Sequence, residues 1–388
     1  MTLRSEEPDL GSGVSRYSGR STFRVSISSF RCTLAALTVA CALAAVLGFA
    51  AHRASVCSVR AVAEMLSSRT AYALAAIAKS GLWAFAIIGA ALSFMPSAGA
   101  QLGGWPLSGT AAVGGFLFGI GAAVNGACAF STLARLADGE GRMLATAAAF
   151  MIGVLCYAIL VDLHWLERPV PGLALVGARS EWALAPVLLL LPFGIYEARR
   201  LWRTRAPAAH FFAHVLAPQY RLSSAAMLIG LTSAAVILIS GSASYTVNIE
   251  QVVEALRGMG DFPAVGRWLL LSAMIGGMLL STIQRGSFRL DLTPRWRWLR
   301  NAIGGLLMGV GTAVTPGGND TLILYSIPTL SPHALPTFIA MLLGIGLGLL
   351  AMRTLFGIKM RVACRNDLYF VDSSARTATK LSLEAPSR

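Results

Sequence analysis

Apolar and polar positions alternate along this chain in long blocks. Apolar runs near 34–51, 72–95, 109–128, 143–162, 182–196, 222–241, 264–283, 301–316 and 334–352 are separated by short polar stretches rich in arginine. About 20 apolar residues are needed to cross a bilayer as a helix, so the pattern predicts nine spanning helices. Two of the runs end abruptly. The third stops at Asn125-Gly-Ala-Cys128 and the eighth at Pro316-Gly-Gly-Asn-Asp320. Each stop is followed by a segment of helical character, the first predicted over about 129–137.

The two interrupted runs read alike. "GGFLFGIGAAVNGAC" from Gly114 and "GGLLMGVGTAVTPGG" from Gly304 agree at seven of fifteen positions without a gap. The same offset of about 190 residues aligns "ASVCSVRAVAEML" from Ala54 with "ASYTVNIEQVVEAL" from Ala243 after one insertion, setting Cys57 opposite Thr246 and Glu64 opposite Glu254. It also sets Lys79 opposite Arg267, and "FMIG" ending at Gly153 opposite "AMLLG" ending at Gly344. A duplicated unit of four spans follows, with the fifth span joining the copies. An odd joining span turns the second copy over. The expected layout is a polar tail over 1–33, a first repeat over 34–162, a linking span and basic loop over 163–221, a second, inverted repeat over 222–352, and a basic tail facing the cytoplasm over 353–388.

Loop charge agrees with that inversion. With the N-terminus outside, the inner loops 52–70, 129–142, 197–221 and 284–300 hold fifteen arginines, and the outer loops 96–108, 163–181, 242–263 and 317–333 hold three. Arginine and lysine collect on the cytoplasmic side of membrane proteins. The five arginines before the first span run against the rule.

Composition sharpens this picture. The 388 residues are 55% hydrophobic and 13% charged, with mean hydropathy +0.65; a soluble domain carries about 25% charged residues. The fold class expected is an all-α integral membrane protein with about nine transmembrane helices plus short re-entrant ones. The net charge of +14 sits in short loops rather than in a basic stripe with interleaved aromatics, which argues against a nucleic-acid partner. The six cysteines, at 32, 41, 57, 128, 156 and 364, show no CxxC spacing, and with histidine scarce neither a zinc site nor any cofactor is expected.

Cys57 and Cys128 stand apart from the other four because each sits at a helix break. Inverted repeats with Gly- or Pro-interrupted spans at matching places mark a transporter's central site, since non-helical backbone at membrane depth survives only where protein or a water-filled cavity meets it. A helix N-terminus there offers free amides to an anion, and a thiol beside it adds a soft contact. The candidate substrate-binding residues are therefore Cys57 and Cys128, with Gly121 and Asn125 at the first break and Thr246, Asn319 and Asp320 at the second. Lys79 and Arg267 are expected to attract the anion from either side.

These motifs resemble the YeeE/YedE sulfur-transport proteins. The likeness rests on the Cys57 break, on "GGFLFGIGAAVNGACAFSTLARLADGEGR", on its second copy and on the duplicated layout, and covers roughly residues 34–352. The resemblance implies a bacterial inner-membrane, multi-pass carrier of thiosulfate or a related sulfur anion. It implies an hourglass whose waist is lined by thiols that relay the substrate, and it leaves room for a cytoplasmic sulfur-handling partner. The family's third cysteine belongs at the second break, where this chain has Pro316-Gly-Gly-Asn-Asp320. A different sulfur or selenium compound, and a membrane-bound sulfurtransferase or redox protein using Cys128, are the alternatives to a non-enzymatic thiosulfate carrier.

Overall fold

The computed structural model describes residues 27–94, 102–166, 172–173, 184–203, 217–241, 244–292, 296–358, 360, 362–365 and 367–370. The arginine-rich tail before residue 27 and the chain beyond 370 lie outside the described residues.

In chain order the elements are α1 (Ile27–Ala54), α2 (Ser58–Ser68), α3 (Tyr72–Phe94), β1 (Gly103–Gly104), α4 (Gly109–Asn125), α5 (Ala129–Ala137), α6 (Arg142–Asp162) and β2 (Gly172–Leu173). There follow α7 (Leu184–Arg203), α8 (Leu222–Ser240), α9 (Tyr245–Leu256), α10 (Val265–Arg285) and α11 (Trp296–Val314). The last are α12 (Asn319–Thr321, continued by a π turn Leu322–Ser326), α13 (Ala334–Phe356), β3 (Ala363–Arg365) and β4 (Leu368–Phe370). Among the described residues the regular structure is helical, apart from two small antiparallel pairs, β1 with β2 and β3 with β4, and a single parallel bridge between Glu140 and Asp291.

Among the described residues, seven helical stretches are long and apolar enough to cross a membrane: Leu34–Ser68, Tyr72–Phe94, Gly109–Ala137, Arg142–Asp162, Leu222–Leu256, Val265–Arg285 and Ala334–Phe356. Three of the seven run through a helix break, at Cys57, at Cys128 and before Tyr245. The other two apolar runs read from the sequence fall on α7 and α11, which are not among the seven. Their helices extend into polar sequence, through Glu197 and three arginines in α7 and through the Trp-Arg-Trp start of α11.

The long helices form two packed groups. In one, α4 lies against α13 and α11, and α11 against α6; in the other, α1 lies against α10 and α8, and α8 against α3. Glycine sets how closely the first group closes. A Cβ added at Gly119 would come within 2.2 Å of the Met341 carbonyl oxygen, and one at Gly309 within 2.1 Å of the Phe150 carbonyl oxygen. Only a residue without a side chain permits such backbone approach, which is how helices gain packing where solvent drives no burial.

The breaks are built from local backbone chemistry. α4 ends in a left-handed residue, Gly126 (φ 76°), whose amide donates back to Ala122 and Ala123; glycine adopts that conformation without steric cost. α1 ends with Ser55 at φ 51°, and the chain then extends through Cys57.

One face of the molecule is tied by loop contacts. Arg289 and Asp291 donate their amides to Asp138 and Gly139 at 2.9 Å, and Gly141 donates to Asp291 at 3.0 Å. His52 Nε2 lies 3.1 Å from Asp138 Oδ1, and Ser287 Oγ donates to the same oxygen at 2.8 Å. Burial by itself would raise the Asp138 carboxyl, but the hydrogen bond and charge of His52, with Ser287 and Thr282, hold it below its ordinary value. The β3–β4 hairpin, in the stretch read from the sequence as a basic tail, folds onto this face. Val362 and Ser67 exchange hydrogen bonds, Asp367 accepts from the Leu222 and Ser223 amides, and Arg60 stacks over the Tyr369 ring at 5.8 Å. Burial and the neighbouring Glu64 carboxylate push the Cys364 thiol up to about 12.

Candidate functional site

Between the two helix groups lie the short helices α2, α5, α9 and α12. The predicted helix over 129–137 is α5, with Cys128 as its N-cap in extended conformation (φ −76°, ψ 175°). Cys57 caps α2 in the same way (φ −156°, ψ 128°). Both thiols are free and buried, 2% and 1% exposed.

The two cysteines, 71 residues apart in sequence, come within hydrogen-bonding reach of one another. The amides of Arg60 and Cys128 face the Cys57 sulfur, and those of Ser131 and Ser58 face the Cys128 sulfur. Two helix N-termini therefore converge on one thiol pair. The partial positive charge at each N-terminus and the polarizable sulfur make this a place where a soft anion is held by weak contacts. Ser58 Oγ is buried beside the pair without a hydrogen-bond partner.

The second break brings together a different set of groups. Gly318 donates its amide to Thr246 Oγ1 at 3.3 Å. Around them, Ser244 Oγ lies 2.7 Å from Asp320 Oδ2, Thr246 Oγ1 lies 3.2 Å from Asp320 Oδ1, and Thr321 Oγ1 donates to Ser244 Oγ at 2.9 Å. Asp320 is 7% exposed and Thr246 fully buried. Asn319, 3% exposed, keeps a buried Oδ1 with no hydrogen-bond partner. The two breaks adjoin: α5 packs on α12, and Phe130 and Asp320 line one small cavity.

Five of the expected residues have surroundings that bear on their roles. Asn125 is fully buried, and its amide donates to Ala127 O at 2.9 Å and Thr132 Oγ1 at 3.1 Å. Its Oδ1 accepts from Thr146 at 2.8 Å and from Asn301. An asparagine offers two donors and two lone pairs, and all are spent here on bracing the break against α6 and α11. Gly121 faces α11, since a Cβ there would lie 2.7 Å from the Met308 nitrogen. It sets the spacing of α4 and α11. Lys79 is ion-paired with the buried Glu197 and donates to Ser223 Oγ at 3.0 Å, so its charge is already balanced. Asp320 offers acceptor oxygens already engaged by hydroxyls, which suits an anion poorly as a ligand. Arg267 lies in the first turn of α10, with a buried Nη1 that has no hydrogen-bond partner among the described residues.

Sequence reasoning missed Ser244 and Thr321, which complete the second cluster. The signal was present: hydroxyl residues flank both ends of the break aligned with Cys57 and Cys128. It also read Glu64 only as the counterpart of Glu254 in the second copy. Its carboxylate instead accepts from Thr70 Oγ1 at 2.6 Å and from the Tyr72 and Ala73 amides at 3.0 and 2.9 Å, capping α3.

Apolar helices interrupted at paired, buried polar clusters define a multi-pass helical membrane protein of the broken-helix kind. Residues 53–347 match the family model described as sulphur transport, and the chain belongs to that family, the YeeE/YedE proteins. The thiosulfate transporter TsuA of Escherichia coli (strain K12) is 28% identical over 303 residues, which cover 70% of this chain and 82% of that protein.

Proposed function

We propose that the protein carries a small sulfur-containing anion, thiosulfate foremost, across the bacterial inner membrane, with the Cys57–Cys128 pair as its central contact. The observation that carries this reading is the pairing of two buried free thiols at two converging helix N-termini. A thiol is a weak donor and a weak acceptor. It meets the terminal sulfur of thiosulfate on equal terms and releases it again, as conduction through a constriction requires. The name of the curated relative points to the same substrate.

The reading includes nine spans in an inverted repeat. Support comes from reciprocal packing: α1 pairs with α10 as α8 pairs with α3, and α4 with α13 as α11 with α6. That is the pattern a pseudo-twofold axis in the membrane plane produces. The face holding Asp138, Arg289 and the β3–β4 hairpin is then cytoplasmic, in line with loop arginine.

Uptake of ³⁵S-thiosulfate into liposomes containing the purified protein tests the function. Saturable uptake that unlabelled thiosulfate suppresses and sulfate does not is the expected result. No uptake above empty liposomes would overturn it.

A further inference from the structure

The second break is the least expected part of the molecule, because it places a carboxyl group beside the route of an anion. Its hydroxyls and carboxylate hold four oxygen–oxygen contacts of 3.2 Å or less, beside a longer Thr246–Thr321 approach of 3.5 Å. Ser244 to Asp320 Oδ2 is 2.7 Å, Thr246 to Asp320 Oδ1 is 3.2 Å, Ser244 to Thr246 is 2.7 Å and Thr321 to Ser244 is 2.9 Å. Each such contact needs one hydrogen between its oxygens. Ser244, Thr246 and Thr321 supply one apiece, which leaves the set one proton short. A proton on Asp320 completes it. Asp320 then donates to Ser244, Ser244 to Thr246, and Thr246 back to the other carboxyl oxygen, closing a ring, while Thr321 donates to Ser244 from outside and fills its second lone pair, leaving the Val247 amide, 3.5 Å away, out of the set.

We propose that Asp320, in the ring with Ser244 and Thr246, is a proton-binding site that couples movement of the anion to movement of a proton. The proposal rests on the transport reading above and adds the co-transported ion. Ionised, Asp320 would leave the 2.7 Å contact between the Ser244 and Thr246 oxygens without a hydrogen. It would also present a negative charge, in a low-dielectric interior, to a dianion held at the neighbouring thiol pair. Protonated, the ring is satisfied and the route is neutral. An ionisable group inside a membrane-spanning bundle marks an ion pathway by default.

The surroundings allow exchange. Asp320 lines a cavity of about 30 Å³, room for one water, together with Ser233, Ser244, Phe130 and Tyr325. Tyr325 reaches out of it to donate to the Gly103 carbonyl at 3.1 Å. The other titratable groups facing Asp320 are Glu250 and Tyr245 of α9 and Cys128 at the start of α5, with Glu254 one turn beyond Glu250. α1, α8 and α10 contribute Leu47, Ser233, Val236, Ile237 and Met274 and no charge. Glu250 is the rival acceptor: it has a buried Oε1 without a partner, but it is only half-buried and belongs to no closed ring.

The experiment uses the full chain in liposomes with the membrane potential clamped at zero by potassium and valinomycin. With pH 7.5 inside and 6.5 outside, one proton per anion concentrates ³⁵S-thiosulfate inside about tenfold, since one pH unit and a factor of ten are the same free energy. Asp320→Asn, whose amide donates in place of the carboxyl proton, should equilibrate thiosulfate without concentrating it, and Glu250→Gln should still concentrate it. Pyranine trapped in parent vesicles should report acidification when thiosulfate is added, a result that stands even where a variant fails to fold. Equilibration without concentration by the parent protein overturns the coupling and leaves the transport reading intact. Concentration by Asp320→Asn, or its loss in Glu250→Gln alone, removes Asp320 as the site. No thiosulfate entry at all overturns the transport reading, and the coupling with it.

Discussion

Gly318 donates its amide to the Thr246 hydroxyl at 3.3 Å, at the two positions that the sequence offset aligns with Cys128 and Cys57. In the first half the pair is two thiols, and in the second it is an amide and a hydroxyl backed by Asp320. The same backbone device thus serves two chemistries. The soft pair suits a sulfur atom, and the hard cluster suits a proton.

Cys128 is the sharpest single test of the thiol pair. Cys128→Ala removes the sulfur, and Cys128→Ser keeps a hydrogen-bonding group without its polarizability. Both should reduce ³⁵S-thiosulfate uptake to background while membrane level and detergent stability stay within about 1 kcal/mol of the parent. Cys57→Ala should be impaired as well. Cys156→Ala is the control, because that thiol lies exposed on α6. Normal uptake by Cys128→Ala would make the thiol a packing group and remove it from the mechanism.

Lys79 separates ion pairing from anion recruitment. Lys79→Met leaves Glu197, 1% exposed in its side chain, with only the Arg200 contact at 3.3 Å. Breaking a buried pair from one side costs about 3–5 kcal/mol, and Arg200 should hold the loss near about 3 kcal/mol. Loss of folded protein, recovered in the double variant Lys79→Met, Glu197→Gln, is the expected outcome by size-exclusion chromatography. A well-folded single variant with a raised apparent KM would restore the recruiting role.

How much of this was legible beforehand depended on how local each signal was. α5 is Ala129–Ala137, as the run after Cys128 predicts, because glycine termination and an apolar periodicity are properties of neighbouring residues. The pairing of Cys57 with Cys128 was only indirectly legible, through their common placement at breaks. The use of Asn125 was not legible at all. Thr146 and Asn301 claim its oxygen from α6 and α11, and no spacing along the chain announces them. Nor does composition show that Glu197 balances Lys79, or that Cys364 and Tyr369 are drawn from a polar tail into a hairpin against α2.

The Asp138 cluster makes a pH prediction with a definite sign. Its folded-state value lies below the ordinary 3.8, so the ionised form is favoured by folding. That contribution is present in full above the unfolded value and is lost as pH falls through the folded one. Asp138→Asn should therefore lower Tm at pH 7 by about 2 °C or more, and the gap to the parent should close as the buffer is taken below pH 4. Differential scanning fluorimetry in detergent reads both. A gap that widens in acid would reverse the assignment.

The last test returns a cysteine to the second break. Gly318 has ordinary backbone angles for a side chain (φ −79°, ψ −173°), so strain there comes from neighbours. A Cβ would sit 2.8 Å from Thr246 Cγ2 and 3.0 Å from Asp320 Oδ1. The first is closer than real Cβ contacts come, and Thr246 is fully buried with no room to withdraw. Gly318→Cys alone should therefore fold less stably, by the 1–3 kcal/mol typical of overpacking, and carry less thiosulfate. Thr246→Ser removes the offending methyl and keeps the hydroxyl that Asp320 and Ser244 use. Added to Gly318→Cys, it should restore stability and bring uptake to the parent rate or above, by placing a third thiol next to the first two. Thermal melts and uptake on the same three preparations decide it. If the single variant is as stable as the parent, Thr246 is not packed as described; if the double is stable but transports no better than the single, a thiol at this position adds nothing to the path.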